Sequence, residues 1–149
     1  MNSTVENILI LGAYGRLGEV LSLILNESHN VFRHGRNKDA QVHISELSIH
    51  SIKQVLIKYK ITSVVNLVAM TDVNRCENEV SSAFHANATI PHFLRSAVDE
   101  INKDIYVLQV STDQIYSGDG MLDETCVNPT NVYGVSKLAG EQLIYSPAK

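Results

Sequence analysis

The stretch VENILILGAYGRLG, residues 5–18, decides the fold. It opens with β-type aliphatics, breaks at Gly12 and repeats glycine at Gly15 and Gly18. Leu17, Val20, Leu21, Ile24 and Leu25 then follow the i, i+3, i+4, i+7, i+8 spacing of one helix face. The reading is strand, tight turn, helix, with the apolar stripe packed inward. Glycines that open a helix directly after a strand let bare backbone approach a ligand at the helix N-terminus, an arrangement suited to a pyrophosphate. Gly12, Gly15 and Gly18, with Tyr14, Arg16 and Leu17 between them, are the first candidate cofactor-binding set. The side chains of Tyr14 and Leu17, like that of Ile115, read as packing groups. The spacing G-x-x-G-x-x-G is not the commoner G-x-G-x-x-G, and a helix entry that is merely glycine-rich is the competing reading.

Working outward, the sequence predicts further strands at NVFRHG (30–35), QVHI (41–44), ITSVVNLVA (61–69) and IYVLQVS (105–111), and a helix over SIHSIKQVLIKYK (48–60). A long helical stretch runs from about Val80 to Ile101, with a kink or break expected at Pro91. A last helix begins near Pro129, since proline favours a first turn. Strands alternating with helices predict an α/β fold, a Rossmann-type doubly wound parallel sheet, in one domain over residues 1–149. The fifth strand is expected to be a sheet edge, open to pairing with another chain, so a homodimer is a candidate assembly.

A net charge of −4, with no run of Lys and Arg interleaved with aromatics, argues against nucleic acid as a partner. No apolar run approaches the length that spans a bilayer, and MNSTVEN lacks the regions of a signal peptide, which predicts a cytoplasmic protein without membrane attachment. Cys76 and Cys126 read as unpaired thiols, and the six histidines form neither H-x-x-x-H nor HExxH, so no metal is expected.

Dinucleotide folds that prefer NAD carry an acid at the end of the second strand to hold the ribose 2′-hydroxyl. Here that region reads FRHGRN, with no acid. Arg36, helped by Arg33 or Arg16, can neutralise a 2′-phosphate instead, which favours NADPH and leaves NADH as the alternative. The competing reading of both arginines is solvated loop charge. In VSTDQIYSGDG (110–120), Ser111, Thr112 and Asp113 fall at the C-terminal end of the fifth strand, where open α/β sheets collect ligands. A polar strand end followed by a glycine turn is the plainer account. In NVYGVSKLAGE (131–141), Tyr133 and Lys137 share one helix face. A ring packed beneath a lysine stem is the ordinary explanation of such a pair.

Taken in order, GAYGRLG, VVNLVAMTDVNRCENE, HANATIP, VSTDQIYSG and DETCVNPTNVYGVSKLAGE resemble the extended short-chain dehydrogenase/reductase superfamily, and within it the dTDP-4-dehydrorhamnose reductases. The resemblance covers essentially the whole chain. It implies NAD(P)H-dependent reduction of a nucleotide-sugar ketone, with Tyr133 as proton donor and Lys137 both tuning the phenol and holding the nicotinamide ribose. Thr112 matches the position whose hydroxyl holds the substrate oxygen, and Asn87 a helix asparagine tied to that network. Asn66 and Ala69 match positions where the cofactor passes, plain strand packing being their alternative. His43 stands where relatives more often carry an aspartate facing the adenine. Family members normally continue into a C-terminal domain that grips the sugar nucleotide, so a truncated cofactor-binding part, without that substrate domain, is expected. Such a part is expected to bind dinucleotide and to turn over little sugar nucleotide by itself. A non-catalytic nucleotide-binding module is the alternative. Within enzymes, an epimerase or a dehydratase shares the tyrosine and lysine, although a dehydratase usually shows Asp-Glu where this chain has Asp113-Gln114.

Overall fold

The computed structural model describes residues 5–101 and 104–145. Residues 1–4 and 146–149, on which the readings about a leader and the chain's end partly rest, lie outside the described residues. Two compact units form, Met1–Leu67 with Ser96–Val110, and Val68–Arg95 with Ser111–Lys149.

The first unit holds a five-stranded parallel sheet of β1 (Asn7–Leu11), β2 (Asn30–Gly35), β3 (Val42–His43), β4 (Ser63–Asn66) and β5 (Tyr106–Gln109), in the order β3-β2-β1-β4-β5. NVFRHG coincides with β2, whereas QVHI shortens to two residues and ITSVVNLVA to four. Pairing sets these limits: β3 meets β2 only at His34↔Val42 and Gly35↔His43, and the β1–β4 ladder ends at Leu11↔Asn66. β5 is an edge, as expected. The strand order reverses beside β1, so α1 (Arg16–Leu25), between β1 and β2, and α2 (Ile49–Lys58), between β3 and β4, cross in opposite directions. Right-handed crossovers then put them on opposite faces of the sheet. α2 starts from a capping box in which Ser48 and Ser51 each accept the other's backbone N–H through their hydroxyls.

The inward face of α1 is not the one its leucine spacing suggests. Leu21 and Leu25 pack against the cluster of Ile8, Ile10, Ala13 and Val31, but Leu17, Val20 and Ile24 are exposed, and Gly18 and Ser22 are buried. A methyl at Gly18 would lie 2.6 Å from the Gly12 carbonyl oxygen and 2.7 Å from Ala13 carbons. The helix therefore meets the turn along its smallest residues, at a separation that leaves no room for a row of leucines.

His34, on β2, is 2% exposed, and neither ring nitrogen has a partner in the described structure. Burial pushes its pKa down; the charges of His43 and Arg36 add to that, against an opposing pull from the Ile44 backbone.

The second unit is helical. It contains α3 (Val73–Asn78), α4 (Val80–Phe84), a π-helical turn (His85–Thr89), the first half of α5 (Ile90–Ile101), a 3₁₀ turn (Asp113–Ile115) and α6 (Val132–Tyr145). α3 was not anticipated; Asp72 caps it by accepting the Arg75 N–H at 2.9 Å. The break expected at Pro91 takes the form of the π-helical turn. Proline has no N–H to give the carbonyl four residues back, which is that of Asn87, and its ring crowds that oxygen. The displaced Asn87 carbonyl points at Gly140 of α6, where an added methyl would overlap it and also meet Pro91 Cγ at 3.4 Å. α6 itself begins at Val132 rather than near Pro129, because Asn131 supplies the cap: its Oδ1 accepts the Gly134 N–H at 2.7 Å. Tyr133 packs with Cys76 and Ala83 in the core of this unit, beside Met70, Val73 and Val132. Cys76 and Cys126 are both free thiols. Among the described residues no helix is long and apolar enough to cross a membrane.

Two stability measurements follow from these contacts. Gly140→Ala is expected to destabilise the chain by about 1–3 kcal/mol in urea unfolding. A neutral or stabilising result, the outcome helix propensity alone would give, would show that the Asn87 carbonyl does not press on this position. The second concerns pH. Because His34 has a folded-state pKa below its ordinary 6.5, the unfolded chain binds the extra proton, and stability falls as pH drops below about 6.5, by at most about 1.4 kcal/mol per pH unit. Urea unfolding of wild type and His34→Gln at pH 7 and pH 5.5 should show a smaller loss in the variant; equal losses would remove His34 as the source.

Candidate functional site

The first unit supplies the glycine turn. Gly12 has φ +80°, a conformation that favours glycine, and Ala13 behind it is fully buried. The Gly15 N–H donates to the Gly12 carbonyl at 3.2 Å and closes the turn. Gly15 is the N-cap of α1, where no side chain caps the helix, and Gly15, Arg16 and Leu17 are exposed. Unfilled N–H groups at an exposed helix start make an anion site, and Gly18 lets the helix begin close against the turn. These residues fit a pyrophosphate. Leu17 is not the packing group its spacing suggested; Ile115 is one, at 3% exposure.

At the C-terminal end of β2, Tyr14 does pack, although it is partly exposed. Its ring lies against Gly35, where a Cβ would be 2.7 Å away, and the Arg33 guanidinium sits over it at 4.4 Å. The Tyr14 hydroxyl accepts the Gln41 N–H at 3.1 Å, and the Gln41 side-chain oxygen accepts the Arg33 N–H at 3.0 Å. Arg36 follows directly after β2 and is exposed. His43, at the end of β3, is exposed, with Nδ1 3.0 Å from the Asn37 carbonyl. Asn66, fully buried at the end of β4, donates to the Gln109 side chain of β5 at 2.7 Å.

The second unit contains the remaining candidates. Asn87, in the π-helical turn, holds the Met70 backbone from both sides: its Oδ1 accepts the Met70 N–H at 2.8 Å and its Nδ2 donates to the Met70 carbonyl at 3.0 Å. The same Nδ2 donates to the Ser136 hydroxyl at 2.9 Å, which in turn donates to the Tyr133 carbonyl at 2.8 Å. Asn87 is thus tied to α6 between Tyr133 and Lys137. Those two residues are one helical turn apart and both buried; Lys137 is only 4% exposed. Burial pushes the Lys137 pKa down, and Glu141, one turn further along, pulls it back up. Thr112 caps the 3₁₀ turn, accepting the Gln114 N–H at 3.3 Å, and Gln114 accepts from the Asn131 side chain at 2.8 Å at the start of α6. A methyl at Gly134 would overlap the Gln114 carbonyl, so the 3₁₀ turn presses on α6 one residue beyond Tyr133. The Ser111 hydroxyl is buried without a hydrogen-bond partner, and Ala69 lies in the irregular segment ahead of α3, partly buried.

Sequence reasoning passed over Ser136, which completes the Asn87 link, and Gln41, which joins Tyr14 to β2. Ser136 had a signal: a hydroxyl directly before Lys137 in an otherwise apolar or glycine-rich helix segment. Gln41 had none, since its contacts depend on pairing between distant strands.

The sequence profile of the family described as RmlD substrate binding domain matches residues 6–149. The dTDP-4-dehydrorhamnose reductase of Aggregatibacter actinomycetemcomitans is 34% identical over 146 residues, 94% of this chain and 47% of that protein. A probable low-salt glycan biosynthesis reductase, Agl14 of Haloferax volcanii, is 31% identical over 144 residues, 91% of this chain and 47% of that protein. Among solved structures, dTDP-4-dehydrorhamnose reductase of Bacillus anthracis in complex with NADP is similar with a TM-score of 0.82 at 26% identity, covering 97% of this chain and 50% of that one. The chain spans about half the length of the curated relatives it matches. With a profile that runs from the start of β1 past the end of α6, over a sheet ordered β3-β2-β1-β4-β5 and a glycine turn that opens α1, the chain belongs to the RmlD substrate binding domain family.

Proposed function

We propose that this chain serves the reduction of the keto group of a nucleotide-activated 4-keto-deoxysugar, as in a dTDP-4-dehydrorhamnose reductase, with NADPH as the reductant and NADH as a poorer one. The observation that carries this reading is Lys137, a lysine withdrawn from water one helical turn from the buried Tyr133. Lysine is almost never fully buried unless its charge is paired, so the fold holds this ammonium beside the phenol at a cost. Similarity to reductases over nearly the whole chain supports the same reading, and a cytoplasmic location fits a biosynthetic enzyme of this kind.

Gly12, Gly15 and Gly18, with the backbone of Tyr14, Arg16 and Leu17, hold the pyrophosphate at the start of α1. The basic exit of β2, with Arg33 and Arg36, would meet the 2′-phosphate, and Asn66, Ala69 and Ser111 would offer backbone or hydroxyl contacts along the rest of the cofactor. When bound, that group supplies a hydride to the carbonyl carbon. Tyr133 gives its phenolic proton to the carbonyl oxygen as the oxygen takes up the electron pair, so the ketone leaves as an alcohol. The Lys137 cation would stabilise the phenolate left behind and would also be the group to hold the ribose of the cofactor. Thr112 directs its hydroxyl at the same substrate oxygen. Asn87 acts through Ser136, keeping this turn of α6 in place.

Turnover of a dTDP-4-keto-6-deoxysugar, followed by NADPH absorbance alongside NADPH titration, tests these roles. Tyr133→Phe should cut turnover about a thousandfold or more while changing NADPH affinity less than about threefold, and Lys137→Ala should damage both. Undiminished turnover in the phenylalanine variant removes the proton-donor role.

A further inference from the structure

The arginine that meets a 2′-phosphate must hold its charge where the phosphate arrives, and β2 and its exit offer two candidates of different standing. Arg36 is an exposed residue past the end of the strand. Arg33 lies on β2, partly buried, and four contacts fix it or its support. Its guanidinium sits over the Tyr14 ring at 4.4 Å. One terminal nitrogen donates, at a long 3.4 Å, to the carbonyl of Ala13 in the glycine turn. Its backbone N–H donates to Gln41, whose own N–H donates to the Tyr14 hydroxyl.

The charge itself is unanswered. Among the described residues no carboxylate lies within ion-pairing distance of Arg33; Lys53 and Arg75, by contrast, pair with Glu100 and Glu79. Its Nε is buried without a hydrogen-bond partner. A partly buried guanidinium held by an aromatic face, one weak carbonyl contact and no counter-ion is an arrangement that gains by accepting an anion. It stands beside the turn where the pyrophosphate is read to bind, at the strand end where dinucleotide folds discriminate the 2′ substituent.

We infer that Arg33, positioned by the Tyr14 ring, sets the preference for a 2′-phosphorylated adenosine, and that Arg36 is an auxiliary surface charge. This rests on the reading of the glycine turn as a dinucleotide site. Arg33 is already ordered by the ring, so pairing costs it little conformational freedom, whereas Arg36 must give up solvent and rotamers to reach the same phosphate. Tyr14 is a positioning residue: the ring matters to the preference, and the hydroxyl serves the Gln41 link.

The test measures binding of NADPH, NADH, 2′,5′-ADP and 5′-AMP by calorimetry to wild type and single variants. Wild type should prefer each 2′-phosphorylated compound, and Arg33→Ala should reduce that preference about tenfold or more, while Arg36→Ala changes it less than about threefold. Arg33→Lys, which keeps the charge and loses the planar stack, should fall between, and serves if the alanine variant does not fold. Tyr14→Phe should retain the preference and Tyr14→Leu should lose it. Equal weakening of phosphorylated and unphosphorylated ligands in Arg33→Ala would make the residue merely structural and overturn the inference. So would a loss of preference confined to Arg36→Ala. Failure of wild type to bind any of the four compounds would instead sink the dinucleotide reading on which the inference stands.

Discussion

A proline cannot offer a nitrogen to the carbonyl four residues before it, and the second unit is built around the consequence. Pro91 denies the Asn87 carbonyl its i+4 donor, and the chain between α4 and α5 widens into a π-helical turn. The freed carbonyl needs a neighbour with no side chain, and Gly140 provides it. That close approach brings α6 near enough for the Asn87 amide to reach Ser136 while also clasping the Met70 backbone. Five residues from three separate stretches of the sequence thus fix the height and rotation of the helix that carries Tyr133 and Lys137. The polar groups at this junction are satisfied by one another, which lets Asn87 and Ser136 lie in the interior at little cost.

The first unit solves a different problem, that of ending a strand and starting a helix while leaving the helix N-terminus open. Gly12 makes the turn with a left-handed backbone, and Gly18 allows α1 to pack on it with no intervening side chain. The cost appears on the far side of α1, where Leu17, Val20, Leu23 and Ile24 are left exposed because the inward line is held by smaller residues. Close packing at the turn and full burial of the leucines are incompatible, and the turn prevails. Tyr14, in the same loop, lies against Gly35 and carries Arg33 over its ring, so one aromatic side chain joins the turn to the second strand.

What could be read in the sequence was whatever depends on local pattern. The run ILIL before Gly12 and the apolar stretch around Val64 and Val65 announce parallel strands, and β2 matches NVFRHG residue for residue. Pro91 announces an interruption. Its form was not legible, because a π turn is chosen over a kink only if a distant glycine can accept the displaced carbonyl. α3 escaped notice because six residues, VNRCEN, contain too little periodicity to register, and the Asp72 cap is its clearest sign. The orientation of α1 was misread for the same reason that Gly140 was passed over: spacing reports which residues share a face, and only packing decides which face goes inward. Among the site residues, the glycines, Tyr133, Lys137, Thr112 and Asn87 lie in recognisable motifs, whereas the link from Arg33 through Gln41 to Tyr14 exists only once β2 and β3 pair.

Among the described residues, His34 and Lys137 are basic groups that lie deep, and their neighbours give them opposite prospects. Burial disfavours the charged form of both His34 and Lys137. Around His34, the charges of His43 and Arg36 push in the same direction as burial, and only backbone at Ile44 resists, so the ring is driven toward neutrality and behaves as part of the core. Around Lys137, the charge of Glu141, a helical turn away, resists the loss of the proton. The spacing is the i, i+4 relation that brings side chains together on a helix surface. A carboxylate so placed lets the lysine leave water for the interior beside Tyr133 while favouring its cationic form. Within YGVSKLAGE, Tyr133, Lys137 and Glu141 follow one another at single-turn spacing, so the carboxylate opposes the effect of burial on the lysine between them.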